Sequence, residues 1–140
     1  LWSPLMARGD KELPIQEFPD VYQYVSICLT DANFVDQVCP IFYAEEDTVV
    51  DSVTFTSNIA EGDVLTLELA ACDAGQAFGS GDQFTTDVTA LTALTPAVAT
   101  IDRTKNVLTA GQFIQLNFAD NGTNAIDCLN VTLRIRTRVR

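Results

Sequence analysis

The feature that most constrains this chain is a strict alternation of apolar and polar residues near its end. Leu129, Val131, Leu133 and Ile135 occupy every second position, and polar residues fill the positions between them. Successive side chains of a β-strand point to opposite faces. The pattern therefore predicts a strand with one face in a hydrophobic core and the other in water.

Shorter alternations of the same kind recur along the chain, and one of them places Val49 on the same face as Val53. Segments 21–30 and 37–44 are rich in the β-branched and aromatic residues that strands favour. About seven or eight short strands, with almost no helical periodicity, predict one all-β domain, an antiparallel β-sandwich. The residues expected in its core are Val53, Phe55, Leu65, Leu67, Leu69, Ile114, Leu116, Phe118, Val131, Leu133 and Ile135.

Two stretches of the sequence, 59–69 and 108–118, resemble each other. Each has an apolar residue, a turn containing glycine, and then an alternating strand. Glycine tolerates the positive φ that such turns need. We expect the same hairpin geometry to be used twice, in opposing sheets.

The first twenty residues differ from the rest because Pro4, Pro14 and Pro19 interrupt them. Proline disfavours helix interiors and central strands. The segment therefore reads as an extended N-terminal arm over 1–20, followed by a sandwich domain over 21–140. Its apolar anchors, Trp2, Leu5 and Phe18 among them, suit either a neighbouring subunit or the surface of its own domain.

The charge of the chain is strongly acidic and unevenly placed. Eight basic residues against 19 acidic ones give a net charge of −11. This balance argues against a nucleic-acid partner, which needs lysine and arginine to neutralise phosphates, and against an anionic membrane surface. No apolar run approaches the length needed to span a bilayer.

Four arginines follow one another at every second position of the last segment: Arg134, Arg136, Arg138 and Arg140. On a strand they form one cationic row. Three interpretations remain open. The row pairs with acidic residues of its own domain, protects a sheet edge against aggregation, or binds an acidic partner, which includes a second copy of this chain.

The sequence contains no recognisable catalytic site and predicts no cofactor. No histidine occurs, which removes the usual Ser-His and Cys-His nucleophile pairs. A zinc site is not expected, because no pair of cysteines is spaced as a zinc motif requires. Glu45, Glu46, Asp47 and Asp51 lie close in sequence, but they lack the spacing of a calcium loop and read as solvated charges.

The four cysteines, Cys28, Cys39, Cys72 and Cys128, fall within apolar strand patterns. We expect buried, reduced thiols, which behave as small hydrophobic groups. Two disulfides, with three possible pairings, remain the alternative and would suit a secreted protein.

The last third of the chain resembles head decoration, or cement, proteins of tailed phages. The resemblance rests on residues 96–102, 106–112 and 129–136, with the matching strand start at 61–63. It implies a jelly-roll-like sandwich that assembles as a homotrimer on the major capsid protein. Such a protein would be assembled in the host cytoplasm and located on the capsid surface of the virion.

Two other functions remain open for a sandwich of this kind. One is a carbohydrate-binding or receptor-binding module of a phage tail or fibre, and the other is a secreted adhesion protein. The first would need an exposed aromatic platform. We expect none, because Tyr22, Tyr24 and Tyr43 lie within strand patterns.

Overall fold

The computed structural model describes residues 22–30, 37–62, 65–120, 126 and 128–137. The predicted arm over 1–20, with Trp2, Leu5 and Phe18, lies outside the described residues, as do Arg138 and Arg140. The described part contains nine strands and one 3₁₀ turn, Phe78–Ser80. The strands are β1 Gln23–Thr30, β2 Gln37–Tyr43, β3 Thr48–Ser57, β4 Leu65–Cys72, β5 Asp82–Gln83, β6 Ala97–Val98, β7 Val107–Leu108, β8 Phe113–Asp120 and β9 Cys128–Thr137.

The strands form two antiparallel sheets, which confirms the predicted all-β sandwich. The first sheet has the order β1-β9-β3-β6, with β7 also paired to β3, and the second has the order β2-β8-β4-β5. The pairings are nested: β1 pairs with β9, β2 with β8, β3 with β6 and β7, and β4 with β5. A long hairpin folded over on itself in this way gives the strand order of a jelly roll.

The core lies between the inner faces of the two sheets, as the alternations predict. All eleven residues expected in the core are buried: Val53, Phe55, Leu65, Leu67, Leu69, Ile114, Leu116, Phe118, Val131, Leu133 and Ile135. They form one cluster, to which the short strand β7 adds Leu108 and irregular segments add Phe84, Leu91 and Ile126. Burial of this apolar surface is the main force that holds the sheets together.

The expectation that the two similar stretches occupy opposing sheets is wrong. Their strands, β4 and β8, are antiparallel neighbours in the second sheet, with Leu67 opposite Phe118 and Leu69 opposite Leu116. The turn before β8 does need glycine, since Gly111 has a φ of 96°. The same local pattern serves both strands because each places one apolar face on the same core.

A β-bulge in β3 overturns the expectation that Val49 and Val53 share a face. Val53 lies opposite Leu133 on the inner face, whereas Val49 lies opposite Arg136, and the register shifts between Val50 and Ser52. One extra residue in a strand reverses the direction of every side chain beyond it. Val49 is therefore buried outside the core cluster, on the outer side of the sheet.

Asn106 binds both backbone polar groups of Val50, the residue next to the bulge. The Val50 amide donates to the Asn106 carbonyl oxygen at 2.9 Å, and Asn106 Nδ2 donates to the Val50 carbonyl oxygen, also at 2.9 Å. Buried backbone groups need such partners. The bulge is thus a fixed feature of the sheet, and it points the intervening residue, Asp51, to the outer face.

The long connection between β4 and β6 covers part of the second sheet. Residues 73–81 form a loop that folds over the outer face, so that Gln115 Nε2 donates to the Gln76 carbonyl oxygen at 2.9 Å. Gly81 is required there, because a Cβ atom at this position would lie 2.5 Å from Cys72 Sγ.

No helix in the described part of the chain is long and apolar enough to cross a membrane.

Candidate functional site

The outer face of the first sheet combines exposed tyrosines with arginines. Tyr24 of β1 lies directly opposite Arg134 of β9, so the two side chains share this face. Tyr24 is 69% exposed, and Tyr22, which precedes β1, is 43% exposed. Tyrosine and arginine are the residue types that protein interfaces enrich, and they dominate the binding energy of many of them. We call this surface the Tyr–Arg face and define it by Tyr22, Tyr24, Arg103, Arg134 and Arg136.

Arg134 is held in place by an aromatic ring. Its guanidinium carbon lies 4.6 Å from the centroid of the Tyr22 ring, within the range of a cation–π contact. The buried Nε atom of Arg134 has no hydrogen-bond partner among the described residues. The stacking fixes a planar cation beside an exposed ring, an arrangement that loses little side-chain freedom when a partner binds.

Arg136 is bound to the aspartate of the bulge. Its Nε atom donates to Asp51 Oδ2 at 2.9 Å, while Arg103 approaches Asp51 Oδ1 at 3.7 Å from the other side. The Asp51 side chain is 11% exposed and that of Arg103 is 62% exposed. One buried carboxylate thus binds two guanidinium groups.

A cleft of about 340 Å³ opens beside this cluster. Its lining is Val49, Asp51, Arg103, Asn106, Val107 and Arg136. The guanidinium groups can donate hydrogen bonds to the carboxylate of an acidic side chain. The valines offer an apolar surface for the methylene groups of the same side chain.

The arginine row therefore has a more specific structure than the sequence indicates. Arg134 and Arg136 do share one face, and Arg136 contacts a carboxylate of its own domain. The interpretation that the row protects a sheet edge is wrong for these two residues, because β9 lies between β1 and β3. The contribution of Arg138 and Arg140 to the row stays a prediction.

The expectation of solvated charges at 45–51 holds only in part. Glu45 and Glu46 are exposed. Asp47 Oδ1, in contrast, accepts a hydrogen bond from the Ala110 amide at 2.9 Å, and Asp51 is buried against Arg136. Within the described ranges, no three histidine, cysteine, aspartate or glutamate residues lie together as a metal site would require.

The second sheet carries a pair of acidic residues on its outer face. Gln83 Nε2 donates to Glu68 Oε2 at 2.8 Å and to Asp87 Oδ1 at 3.1 Å, and Asn117 Nδ2 donates to Glu68 Oε1 at 2.7 Å. Burial raises the pKa of the Glu68 carboxyl, and Asp87 raises it further, while the bonds from Asn117 and Gln83 act in the opposite direction. Amide donors therefore hold the two carboxyl groups together.

The cysteines lie in strands as expected, but only Cys72 is buried. Burial raises the pKa of the Cys72 thiol, and the nearby Asp73 and Asp82 carboxylates add to the rise. Cys28 is exposed, and its sulfur lies 3.7 Å from that of Cys128. The expectation of uniformly buried thiols is therefore wrong.

Sequence reasoning did not find three of the residues that shape the Tyr–Arg face. The sequence around Asp51 indicates a cluster of solvated charges, and Arg103 and Asn106 lie in a connection with no alternating pattern. The expectation that the tyrosines are not displayed is also wrong, since Tyr22, Tyr24 and Tyr43 are all exposed. The sequence did contain a signal for Tyr24. This tyrosine falls at the alternate positions of its strand that polar residues occupy, which predicts an exposed side chain.

Comparisons with known proteins find distant structural likeness. No protein-family model matches the chain, and no curated protein is significantly similar in sequence. The fold is similar to a chain of the cyanophage Pam1 capsid asymmetric unit, with a TM-score of 0.47, 19% identity and 84% of each chain covered. It is also similar to a chain of infectious bursal disease virus, Gx strain, with a TM-score of 0.38, 13% identity, and coverage of 85% of this chain and 33% of that one. Likeness at these scores carries no argument about function.

Proposed function

We propose that this chain is a structural protein of a virus capsid and that it acts as a decoration, or cement, protein. The observation that carries the proposal is the nested strand pairing of a jelly roll, an architecture shared by viral capsid domains, lectins and cupins. Fold alone does not decide function; the residues displayed on the surface of the fold do.

The Tyr–Arg face is the surface that this role requires. A cement protein works by contact with other proteins, and this face presents Tyr24 of the edge strand β1 directly opposite Arg134 of β9. The face gathers basic groups, although the chain as a whole has a net charge of −11. We propose that the face binds acidic residues of the major capsid protein or of a second copy in a homotrimer.

The N-terminal arm over 1–20 is proposed as a second contact. Its apolar residues Trp2, Leu5 and Phe18 would lie on a neighbouring subunit, and the prolines between them would keep it extended. Arm and face together would bridge capsid subunits, on the outside of a virion assembled in the host cytoplasm.

The test starts from purified particles of the virus that encodes the chain. The chain should be present in stoichiometric amounts, and density for its jelly roll should appear on the outer capsid surface in cryo-electron microscopy. Native mass spectrometry of the isolated full chain should show a trimer. Absence of the chain from purified particles would overturn the capsid role, whereas its presence as part of the continuous shell would overturn only the decoration role.

Carbohydrate binding is the second candidate, because the tyrosines are exposed. Tyr22 and Tyr24 lie on one face, and sugars bind aromatic rings on the sandwiches of lectins. A glycan array probed with the full chain and with Tyr24→Ala separates the two functions. Binding that depends on Tyr24, together with absence from particles, would favour the carbohydrate-binding module.

A further inference from the structure

Cys28 and Cys128 lie side by side on the outer face of the first sheet. Their sulfur atoms are 3.7 Å apart, which is van der Waals contact. In the register, Cys28 faces Asn130 and Cys128 faces Thr30, so the two cysteines are diagonal neighbours on adjacent strands. We propose that this pair is a modification site, at which a reversible disulfide forms between β1 and β9.

The geometry of the strands allows the bond with a small movement. A disulfide needs its sulfurs at about 2.05 Å, so they must approach by roughly 1.7 Å from their present contact. The Cβ atoms of diagonal neighbours in a sheet are often somewhat further apart than the Cβ atoms of a disulfide. Here Cys28 is two residues from the end of β1, and β1 is the outermost strand of its sheet, so a shift at this end disturbs little else.

The reaction requires an oxidant, and oxidised glutathione or a similar low-molecular-weight disulfide suffices. The thiolate of the exposed Cys28 attacks one sulfur of the oxidant, and one reduced glutathione leaves. The thiolate of Cys128 then attacks the Cys28 sulfur of the mixed disulfide and releases a second glutathione. Two thiols are oxidised, one disulfide is reduced, and the thiol protons pass to solvent or to the leaving thiolates.

The other two cysteines are placed differently. Cys39 is in the second sheet, where its sulfur contacts the Pro40 carbonyl oxygen at 3.6 Å. Cys72 is buried, and burial raises the pKa of its thiol, which disfavours the reactive thiolate. The geometry therefore supports one bond, between Cys28 and Cys128, and not the two disulfides that were the alternative from the sequence.

The bond would join the first and last strands of the sandwich. The two cysteines are 100 residues apart in sequence, and a disulfide that closes so long a loop restricts the unfolded chain strongly. It would hold β1, and with it Tyr24, against β9. This chemistry does not depend on the proposed capsid role, so each proposal can fail without the other.

The experiment equilibrates the full chain in glutathione buffers from fully reducing to fully oxidising, with acid quenching, alkylation and peptide mapping. The wild type and the control Cys39→Ser should lose two thiols together and yield a peptide pair linked through Cys28 and Cys128. Cys28→Ser and Cys128→Ser should yield no such link. The melting temperature of the wild type should rise on oxidation by roughly 5 to 15 °C, and that of Cys28→Ser should not.

Cys28→Ser keeps the test valid, because an exposed position tolerates the change and folding can be checked by its melting temperature in reducing buffer. Folded, fully oxidised protein in which residues 28 and 128 stay unlinked would overturn the proposal. So would a link from either cysteine to Cys39, to Cys72 or to a second chain.

Discussion

Arg136 donates from its Nε atom to Asp51 Oδ2 at 2.9 Å, across the bulge that interrupts β3. The bulge and the ion pair depend on each other. Without the extra residue, the side chain at position 51 would follow the alternation of Val53 and Phe55. Without Arg136, the buried Asp51 carboxylate would keep only the longer, 3.7 Å ion pair with the exposed Arg103. The pair therefore links the register of the first sheet to the basic groups of the Tyr–Arg face.

The first prediction concerns this pair. Arg136→Gln should lower the free energy of unfolding by about 1–3 kcal/mol, because it leaves the Asp51 carboxylate buried with a weaker partner. Arg103→Gln is the matched control and should cost less than about 0.5 kcal/mol, since Arg103 is mostly exposed. Urea unfolding of both variants measures the difference, and equal losses would mean that the pair contributes no more than a surface contact.

The second prediction concerns the core. Leu67→Ala and Leu116→Ala should each destabilise the protein by about 2–5 kcal/mol, because both side chains are fully buried between the sheets. Val98→Ala, at a position that is 70% exposed on β6, should change stability by less than about 0.5 kcal/mol. Thermal and urea denaturation provide the measurement. A small loss at Leu67 or Leu116 would contradict the observed packing.

Much of this core was predictable, and the reason is physical. A strand with one buried face must alternate apolar and polar residues. The positions of Leu65, Leu67 and Leu69 therefore predict that their side chains face the core. Phe84 and Leu108 do not, because irregular or very short segments bring them into the core and no periodicity marks such positions. The inner and outer residues of a regular strand can be predicted, whereas a bulge such as the one in β3 and the irregular segments that enter the core cannot.

The candidate site was less predictable for the same reason. Pairing decides which sheet a strand joins, and the similar stretches at 59–69 and 108–118 carry no information about their partners. The strand next to the bulge at Asp51 is bound by Asn106, whose side chain donates to the Val50 carbonyl oxygen 56 residues away along the chain. The sequence of β3 alone therefore predicted a regular strand and left Asp51 among solvated charges. Long-range hydrogen bonds determine the site.

The third prediction concerns pH. The raised pKa of Glu68 means that the folded protein holds this proton more tightly than the unfolded chain does. Its stabilising contribution is complete below the ordinary value of 4.5 and is lost as pH rises through the higher, folded-state pKa. The stability of the wild type relative to Glu68→Gln should therefore fall over that window and then level off.

Unfolding of both proteins in urea, from about pH 4 to about pH 7, checks this dependence. Asp87→Asn should weaken it, because Asp87 contributes to the raised pKa through a hydrogen bond and through its charge. A wild-type advantage that grows with pH would show that the sign is wrong.

The fourth prediction concerns a backbone conformation. Leu94 has a φ of 54° and is 76% exposed, so it bears the cost of a left-handed conformation without burying its side chain. Leu94→Gly should leave stability unchanged or raise it by up to about 1 kcal/mol. Thr92→Gly, an exposed neighbour for which the structure records no positive φ, should lower stability slightly. A loss at Leu94 as large as that at Thr92 would mean that the turn does not impose the conformation.

The last prediction separates binding from folding on the Tyr–Arg face. We expect Tyr24→Ala to weaken the binding of the full chain to capsids from which this protein is absent. The expected loss is about tenfold, as is common when an interface tyrosine is removed. Its melting temperature should stay within about 2 °C of the wild type, because Tyr24 is 69% exposed. Tyr43→Ala is the matched control: this tyrosine is 60% exposed but ends β2 in the second sheet, so capsid binding should be retained. Binding is measured by co-sedimentation with the particles at two salt concentrations. Higher salt should weaken binding of the wild type, because charged groups contribute to the contact.

Equal effects of the two tyrosine substitutions would remove the Tyr–Arg face from the interface. Full binding by a variant that carries both Tyr24→Ala and Arg103→Glu would leave the N-terminal arm as the proposed contact to test, through Trp2→Ala and Phe18→Ala in the full chain.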